Sequence, residues 1–376
     1  MAERSTDGDC YWDTASAEPL HPAAKDVLDA ALARGFADPR RLHREARTAR
    51  LLLDNAREAI AEALDVRTGE VTFTSSGTEA VHRGLLGLHR RGGSIAYSAV
   101  EHSSVLHAAD WSGAPSVTIP VDDHGMVDPD LLATQIAAAE PMVSVLALQA
   151  ANHEVGTLQP VADVAERCAV PVFTDACAAG GRVPLTDGWS VAAVSAHKWG
   201  GPAGVGILLI RARSPWRNPF PGDDRVDRRT AGFENVPGVL AAAAALQAVV
   251  AERDRVRARQ YRQIGRLRDR IAATVPDVQV VGHPTNRLPH LLTFSCLYVD
   301  GEALVTELDR HGFAVASGSA CTASTLAPSH VLAAMGALTH GNVRLSLGFE
   351  TSDAEIDRFL TVLPGVVAEL RARVGM

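Results

Sequence analysis

The sequence predicts an α/β fold, a mostly parallel sheet covered by helices, followed by a smaller α+β domain. Three observations predict it. Short β-rich apolar runs alternate with helical patterns through the first two thirds of the chain, which is how a parallel sheet with helices on both faces is written in sequence. At 376 residues the chain exceeds one ordinary core, so two domains are expected. Beyond about residue 250 the alternation gives way to a charged helical stretch and a sparser set of elements.

In chain order, Pro22 to Ala33 and Leu42 to Leu64 read as helices. Val71 to Thr74 reads as a strand that leads through Ser75-Ser-Gly-Thr78 into a helix from Glu79 to Leu88. Further strand-like runs are Ser94 to Tyr97, Ser116 to Pro120, Val143 to Leu148, Val170 to Thr174, Val191 to Ser195 and Gly206 to Ile210. An alanine-rich run, Val236 to Ala251, continues as a charged helix from Arg253 to Ala273. The tail then offers strands at Val278 to Val281 and Leu291 to Ser295, a helix near Glu302 to Arg310, and strands around Val315 and Arg344. A last helix covers Asp353 to Arg373. No repeat or low-complexity linker marks a boundary, which is placed near residue 250 within one long helix.

Composition excludes several classes. A 47% hydrophobic, 21% charged chain is ordinary for a folded globular protein rather than a disordered one. The net charge of −8, with no basic block, argues against nucleic acid as a direct ligand. Val236 to Ala251 is interrupted by Gln247 and runs into Glu252, too short to span a bilayer, so no membrane association is expected. The first twenty residues have no apolar signal-peptide core, and a cytoplasmic location is expected. Five cysteines (Cys10, Cys168, Cys177, Cys296, Cys321), with no CxxC pair, point to neither disulfides nor a zinc site.

Among 36 basic residues only Lys25 and Lys198 are lysines. Lys198 follows an apolar strand and precedes Trp199-Gly-Gly-Pro-Ala-Gly204, with Ser195 and His197 beside it. A lysine, unlike arginine, can become a neutral amine and form a Schiff base; a solvated lysine after a strand is the alternative reading. Asp175 ends the run Val170-Pro-Val-Phe-Thr-Asp and fits either a strand-end cap or an acid that keeps a pyridinium protonated. Ser75 to Thr78 fits either a helix cap or a phosphate site at a helix N-terminus. An anion site, an acid and an isolated lysine together make pyridoxal phosphate the economical cofactor. Cys321 lies in Ala316-Ser-Gly-Ser-Ala-Cys-Thr-Ala-Ser324, whose small residues predict a mobile loop and a reactive thiol. Cys168, Cys177 and Cys296 sit in more apolar surroundings and are expected to be structural.

The motifs resemble those of pyridoxal-phosphate enzymes of the class V aminotransferase fold, and within it NifS/IscS-type cysteine desulfurases. The resemblance is carried by Tyr11-Trp-Asp-Thr-Ala, Asp38-Pro-Arg-Arg-Leu-His43, Ser76-Gly-Thr-Glu79, Glu101-His-Ser-Ser-Val-Leu106 and Asn152-His-Glu-Val-Gly156. It continues through Thr174-Asp-Ala176, Ser195-Ala-His-Lys198, Ser317-Gly-Ser-Ala-Cys-Thr322 and Val343-Arg-Leu-Ser-Leu-Gly348. It implies fold type I: a large domain (21–250) with a mostly parallel seven-stranded sheet that binds the cofactor. A small domain (251–376) would carry the cysteine loop, and residues 1–20 would pack with that small domain.

By the same resemblance Lys198 would hold the cofactor, Asp175 would pair with its ring nitrogen, and His102 would stack on the ring and assist proton transfer. Gly77, Thr78, Ser195 and His197 would bind its phosphate, with Asn152 and His153 also at the cofactor. Arg344, with Asn152, would hold the substrate carboxylate. L-Cysteine would be converted to L-alanine, Lys198 removing the α-proton and Cys321 taking the sulfur as a persulfide for an acceptor protein. A homodimer is implied.

Four positions depart from the family pattern. His153 stands for a second asparagine, and Ala178 for a glutamine, both of which usually meet the cofactor's phenolic oxygen. Phe233 stands where a threonine reaches the partner's phosphate, and Asp38 for the asparagine of an Asn-Pro turn. His153 is expected to compensate through a ring nitrogen. Other readings compatible with these residues are a selenocysteine lyase or another carbon–sulfur lyase, and a cofactor-binding sulfur-carrier scaffold without turnover. An aminotransferase has no need of the cysteine loop.

Overall fold

The computed structural model describes residues 9–222, 227–317 and 328–376. Seven strands form the large sheet: β2 (Val71–Thr74), β3 (Ser94–Ser98), β4 (Ser116–Ile119), β5 (Val143–Ala147), β6 (Val172–Asp175), β7 (Val191–Ser195) and β8 (Gly206–Ile210). Their order is β2-β8-β7-β6-β5-β3-β4. β4, β3, β5, β6 and β7 pair in parallel, and only β8 runs antiparallel to its neighbours. Every residue of β6, β7 and β8 is buried. A strand covered on both faces has no solvent side for polar residues, hence the near-continuous apolar runs.

Helices α1 (Pro22–Arg34), α2 (Arg44–Ala63), α3 (Gly77–Leu88), α4 (Ser103–Trp111), α5 (Pro129–Ala138) and α6 (Val161–Arg167) belong to this domain. α7 (Val236–Thr274) is a single 39-residue helix. Its first half is apolar enough to cross a membrane by composition, but Val236, Val239, Ala242, Leu246 and neighbouring small residues are buried in the core of the large sheet. Farther along, Ile264, Leu267 and Ile271 enter a second core. The run from Val236 and the charged stretch after it therefore form one element serving two cores.

That second core fills an antiparallel sheet ordered β12-β10-β9, made of β9 (Val278–Val281), β10 (Leu291–Cys296) and β12 (Asn342–Ser346). It is covered by α8 (Gly301–Arg310) and α10 (Asp353–Arg373), with the short α9 (His330–Ala334) alongside. The N-terminal strand β1 (Cys10–Tyr11) pairs in parallel with β11 (Phe313–Ala314). Trp12 then packs its ring on Phe313 and Phe359, at 5.4 and 5.1 Å. The α/β class and the mostly parallel seven-stranded sheet are as predicted.

Boundaries differ where caps decide them. α3 begins at Gly77, before Glu79, because Ser76 Oγ accepts the Glu79 N–H at 3.0 Å and the Glu79 carboxylate reaches back to Ser75. Such a reciprocal cap satisfies otherwise orphaned helix-end donors. α4, α5, α6 and α9 were not anticipated. They are short, and tertiary packing rather than a long apolar period holds them.

Candidate active site

The site forms at the carboxyl ends of β6 and β7, where open α/β sheets present their ligand crevice. β7 ends at Ser195 and turns through Ala196–Lys198, which places three of the predicted residues in one short turn. Ser195 Oγ lies 3.0 Å from His197 Nδ1. Burial, reinforced by Lys198, pushes the His197 imidazole down to about 4. Lys198 Nζ donates to the carbonyl of Ala15 and, at 3.0 Å, to that of Ser16.

The first turn of α3 faces the same place. A Cβ at Gly77 would stand 2.7 Å from Ser195 Cβ and 3.1 Å from Cys177 Sγ, so only glycine lets the helix end approach the strand end. Close by, a Cβ on Gly206 would fall 2.1 Å from the carbonyl oxygen of Ser76. Thr78 is exposed on that first turn. Asp175 is buried at the end of β6 and accepts the Cys177 N–H at 2.9 Å. Cys177 thus stands in the site, against Asp175 and Gly77, rather than in an apolar core as the sequence suggested. Burial, with the Asp175 charge, pushes its thiol well up.

His102 caps α4, with Nδ1 accepting the Ser104 N–H at 3.1 Å. Burial lowers its pKa, against the pull of Asp175. Its ring meets that of His153 edge-on at 4.9 Å. Asn152 is fully buried and its amide serves backbone: Oδ1 accepts from Glu154 N and Val155 N, and Nδ2 donates to Val100 O. This fixes the turn that presents His153. His153 Nδ1 is shielded from solvent and has no partner among the described residues, and burial holds the ring well below its usual range. A small cavity is lined by His153, Ala178, Lys198, Thr14 and His290. His153 and Ala178 therefore line the same cavity.

Arg344, on β12, crosses from the small domain. Its Nη1 donates to His153 O at 3.1 Å, and its Nη2 to Asp13 Oδ1 at 2.8 Å and Ser16 Oγ at 2.6 Å. Cys321 lies outside the described residues. Phe233 is exposed beside Phe36, ring centres 6.4 Å apart, and Asp38 accepts the Arg40 N–H at 3.0 Å.

Four residues of the site carried no assigned role in the sequence. Asp13 lies in the motif Tyr11-Trp-Asp, but nothing local says that it meets Arg344. Ser16 reaches the same guanidinium. His290 is buried, its Nδ1 has no partner among the described residues, and no periodicity marks it. Glu154 is buried, accepts from Ser329 Oγ at 2.9 Å, and is raised by burial to about 7.

A family model described as aminotransferase class-V matches residues 10–359. The chain belongs to the class-V aminotransferase family. Within that family it is 36% identical to a cysteine desulfurase of Cereibacter sphaeroides, over 96% of this chain and 96% of that protein. It is likewise 36% identical to an IscS-like cysteine desulfurase of Mycobacterium tuberculosis, over 96% and 97% of the two chains. Among solved structures it resembles a NifS-like protein with a TM-score of 0.87 and 26% identity, covering 96% of this chain and all of that one. The resemblance read from the motifs is borne out.

Proposed function

We propose that the chain is a cysteine desulfurase that uses pyridoxal phosphate, converts L-cysteine to L-alanine and passes the sulfur to an acceptor protein. The observation that carries this reading is a convergence at one sheet end. An acid, Asp175, and an amine, Lys198, lie beside a helix end whose glycine, Gly77, admits no side chain. Arg344 reaches the same N-terminal segment that Lys198 reaches.

The residues present fit the cofactor. The close approach at Gly77 leaves first-turn N–H groups of α3 for a phosphate, with Thr78, Ser195 and His197 as further partners. His197, whose imidazole burial lowers to about 4, would reach that phosphate through a ring nitrogen. Lys198 would hold the group covalently, Asp175 would face its ring nitrogen, and His102, Asn152 and His153 would flank it. When bound, the cofactor supplies an electron sink for charge developing at the substrate's α-carbon.

The protein's own groups do the rest. Arg344 binds the α-carboxylate through charge-assisted hydrogen bonds. The Lys198 amine takes the α-proton at Nζ. Because the Ser104 N–H donates to His102 Nδ1, the neutral ring of His102 carries its proton at Nε2, where it serves transfer near the cofactor. The Cys321 thiolate takes the sulfur, an S–S bond forming as the substrate's C–S bond breaks, and the carbon skeleton leaves as alanine. A homodimer completes the proposal, and the exposed pair of Phe36 and Phe233 is a fitting contact for it.

Mass spectrometry of Cys321 after incubation with L-cysteine tests the reading: one added sulfur on that residue, together with released alanine, is expected. Cys321→Ala should retain the visible absorbance of bound cofactor and release no sulfide. Full sulfide production by that variant removes the persulfide step, and selenide release from L-selenocysteine without sulfide release from L-cysteine assigns a selenocysteine lyase instead.

A further inference from the structure

Arg344 is already occupied. Its side chain is 5% exposed, and its Nη2 donates to both Asp13 Oδ1 (2.8 Å) and Ser16 Oγ (2.6 Å). Ser16 Oγ in turn donates to Asp13 Oδ1 at 2.9 Å, closing a three-membered cluster. Nη1 donates to His153 O, while Nε is buried without a partner among the described residues.

Guanidinium chemistry makes this arrangement consequential. The group offers two edges for two-toothed pairing with a carboxylate, Nε with Nη2 and Nη1 with Nη2, and both use Nη2. Nη2 carries two protons, and both are given to Asp13 and Ser16. A substrate carboxylate therefore gains a two-toothed hold on Arg344 only when one of those partners leaves. Asp13 is the one that must, because two carboxylates on one guanidinium leave a net negative charge in a largely dehydrated place.

Asp13 is also built to leave. Its side chain is 24% exposed, so rotation carries the carboxylate towards water. The backbone around it stays fastened without that side chain. Trp12 N donates to Ala314 O, Ser346 N to Trp12 O, Ala15 N to Ser346 Oγ, and Thr14 Oγ1 to Ser346 O. Beyond it, Glu18 pairs with the buried Arg182, and the Glu18 N–H meets His197 O.

We propose that Asp13 is a specificity-determining residue: an internal carboxylate that holds Arg344 and is exchanged for the α-carboxylate of the amino-acid substrate. The inference rests on the proposed function only in taking Arg344 as the carboxylate's partner. Amines without a carboxylate leave the Asp13–Arg344 pair intact. Release of the pair occurs in the segment whose Ala15 and Ser16 carbonyls meet Lys198, so carboxylate recognition is felt next to the amine.

The test uses the cofactor-loaded full chain with Cys321→Ala in every variant, so that binding is read without turnover. L-Alanine and L-alaninamide are titrated against the parent, Asp13→Asn and Asp13→Glu, following the absorbance of the bound cofactor. Asp13→Asn should bind L-alanine about tenfold more tightly, about 1.4 kcal/mol, with no change for the amide, and Asp13→Glu should behave as the parent. Hydrogen exchange over residues 11–17 of the parent should rise with L-alanine and not with the amide, a reading that holds even if Asp13→Asn folds poorly. Unchanged or weaker L-alanine binding by Asp13→Asn, equal tightening of both ligands, or unchanged exchange would overturn the proposal. Sulfide release from L-cysteine by the unmodified chain is scored separately. Carboxylate exchange without desulfuration refutes the proposed function and leaves Asp13 its role, and desulfuration with no Asp13 effect does the reverse.

Discussion

The two walls of the site are built on different physical terms. One wall is made of strand and helix ends, with Asp175, Ser195 and Gly77 held by the sheet and by the α3 cap. The other wall joins a turn, the N-terminal segment and a β12 side chain: His153 and His290 line the small cavity, and Arg344 ties the His153 backbone to Asp13 and Ser16. It leaves His153 Nδ1, His290 Nδ1 and Arg344 Nε buried and unpaired among the described residues. Each such atom costs about 1–3 kcal/mol, an expense that persists where a ligand or water supplies the missing bond. The first wall is held by its own packing. The second carries buried polar atoms that a bound group could satisfy.

A single methyl group tests the first wall most severely. Gly77→Ala sets a Cβ 2.7 Å from Ser195 Cβ and 2.9 Å from its Oγ, and Ser195 is buried at the strand end. Overpacking of this kind costs about 1–3 kcal/mol. Because the strain falls on the donors proposed for the phosphate, cofactor affinity should drop by up to about 100-fold. Visible absorbance retained after dialysis measures the loss; full retention would mean that this wall is looser than its packing indicates.

The same contrast explains what was legible in the sequence. β7 and β8 could be read because strands buried on both faces are written as unbroken apolar runs, and Lys198 and Asp175 because they stand at the ends of such runs. The Ser75–Thr78 turn was legible as a cap, and in the structure it is one, with Gly77 adding the close approach. The second wall was not legible beyond its family motifs. Asp13 and Arg344 meet across almost the whole chain, and His290, the residue just before β10, reaches the cavity. No local period encodes such encounters; they follow from how the N-terminal segment is stitched between the two cores. Cys177 was misread for the same reason, since its neighbours in sequence are apolar and its neighbours in space are Asp175 and Gly77.

The walls should also respond to pH in opposite senses. Glu154, behind the second wall, is raised from 4.5 to about 7 by burial. The folded state thus holds its proton more tightly than the unfolded chain does, and stability from this group is full below about pH 4.5 and lost as pH rises through about 7. His197, in the first wall, is lowered from 6.5 to about 4. Its contribution is present above about pH 6.5 and lost as pH falls towards 4. Urea unfolding from pH 5 to 8 separates them. Glu154→Gln should remove the alkaline loss, worth about 2 kcal/mol, and gain on the parent as pH rises. Parallel curves for parent and variant would place the Glu154 carboxyl in ordinary solvent.

The smallest expected effect concerns His153 and Ala178, the two cavity positions that the motif reading sets apart. His153 and Ala178 line one cavity, so a larger ring at one position stands beside a smaller side chain at the other. The neutral His153 ring has no partner for Nδ1 among the described residues, and the Arg344 bond to its carbonyl holds the backbone that presents it. We expect that ring to supply the hydrogen bond to the cofactor's phenolic oxygen that the family takes from asparagine and glutamine. Ala178→Gln alone should crowd the imidazole and loosen the cofactor severalfold, whereas Ala178→Gln with His153→Asn should relieve the crowding and restore the usual pair of donors. The double variant should then move the absorbance maximum of the bound cofactor towards that of relatives carrying the asparagine and glutamine, with affinity within about tenfold of the parent, a difference under about 1.4 kcal/mol. Additive single-variant effects would mean that the two positions do not share a space. A non-additive return, with the spectral shift, identifies His153 and Ala178 as one compensated exchange across the cavity.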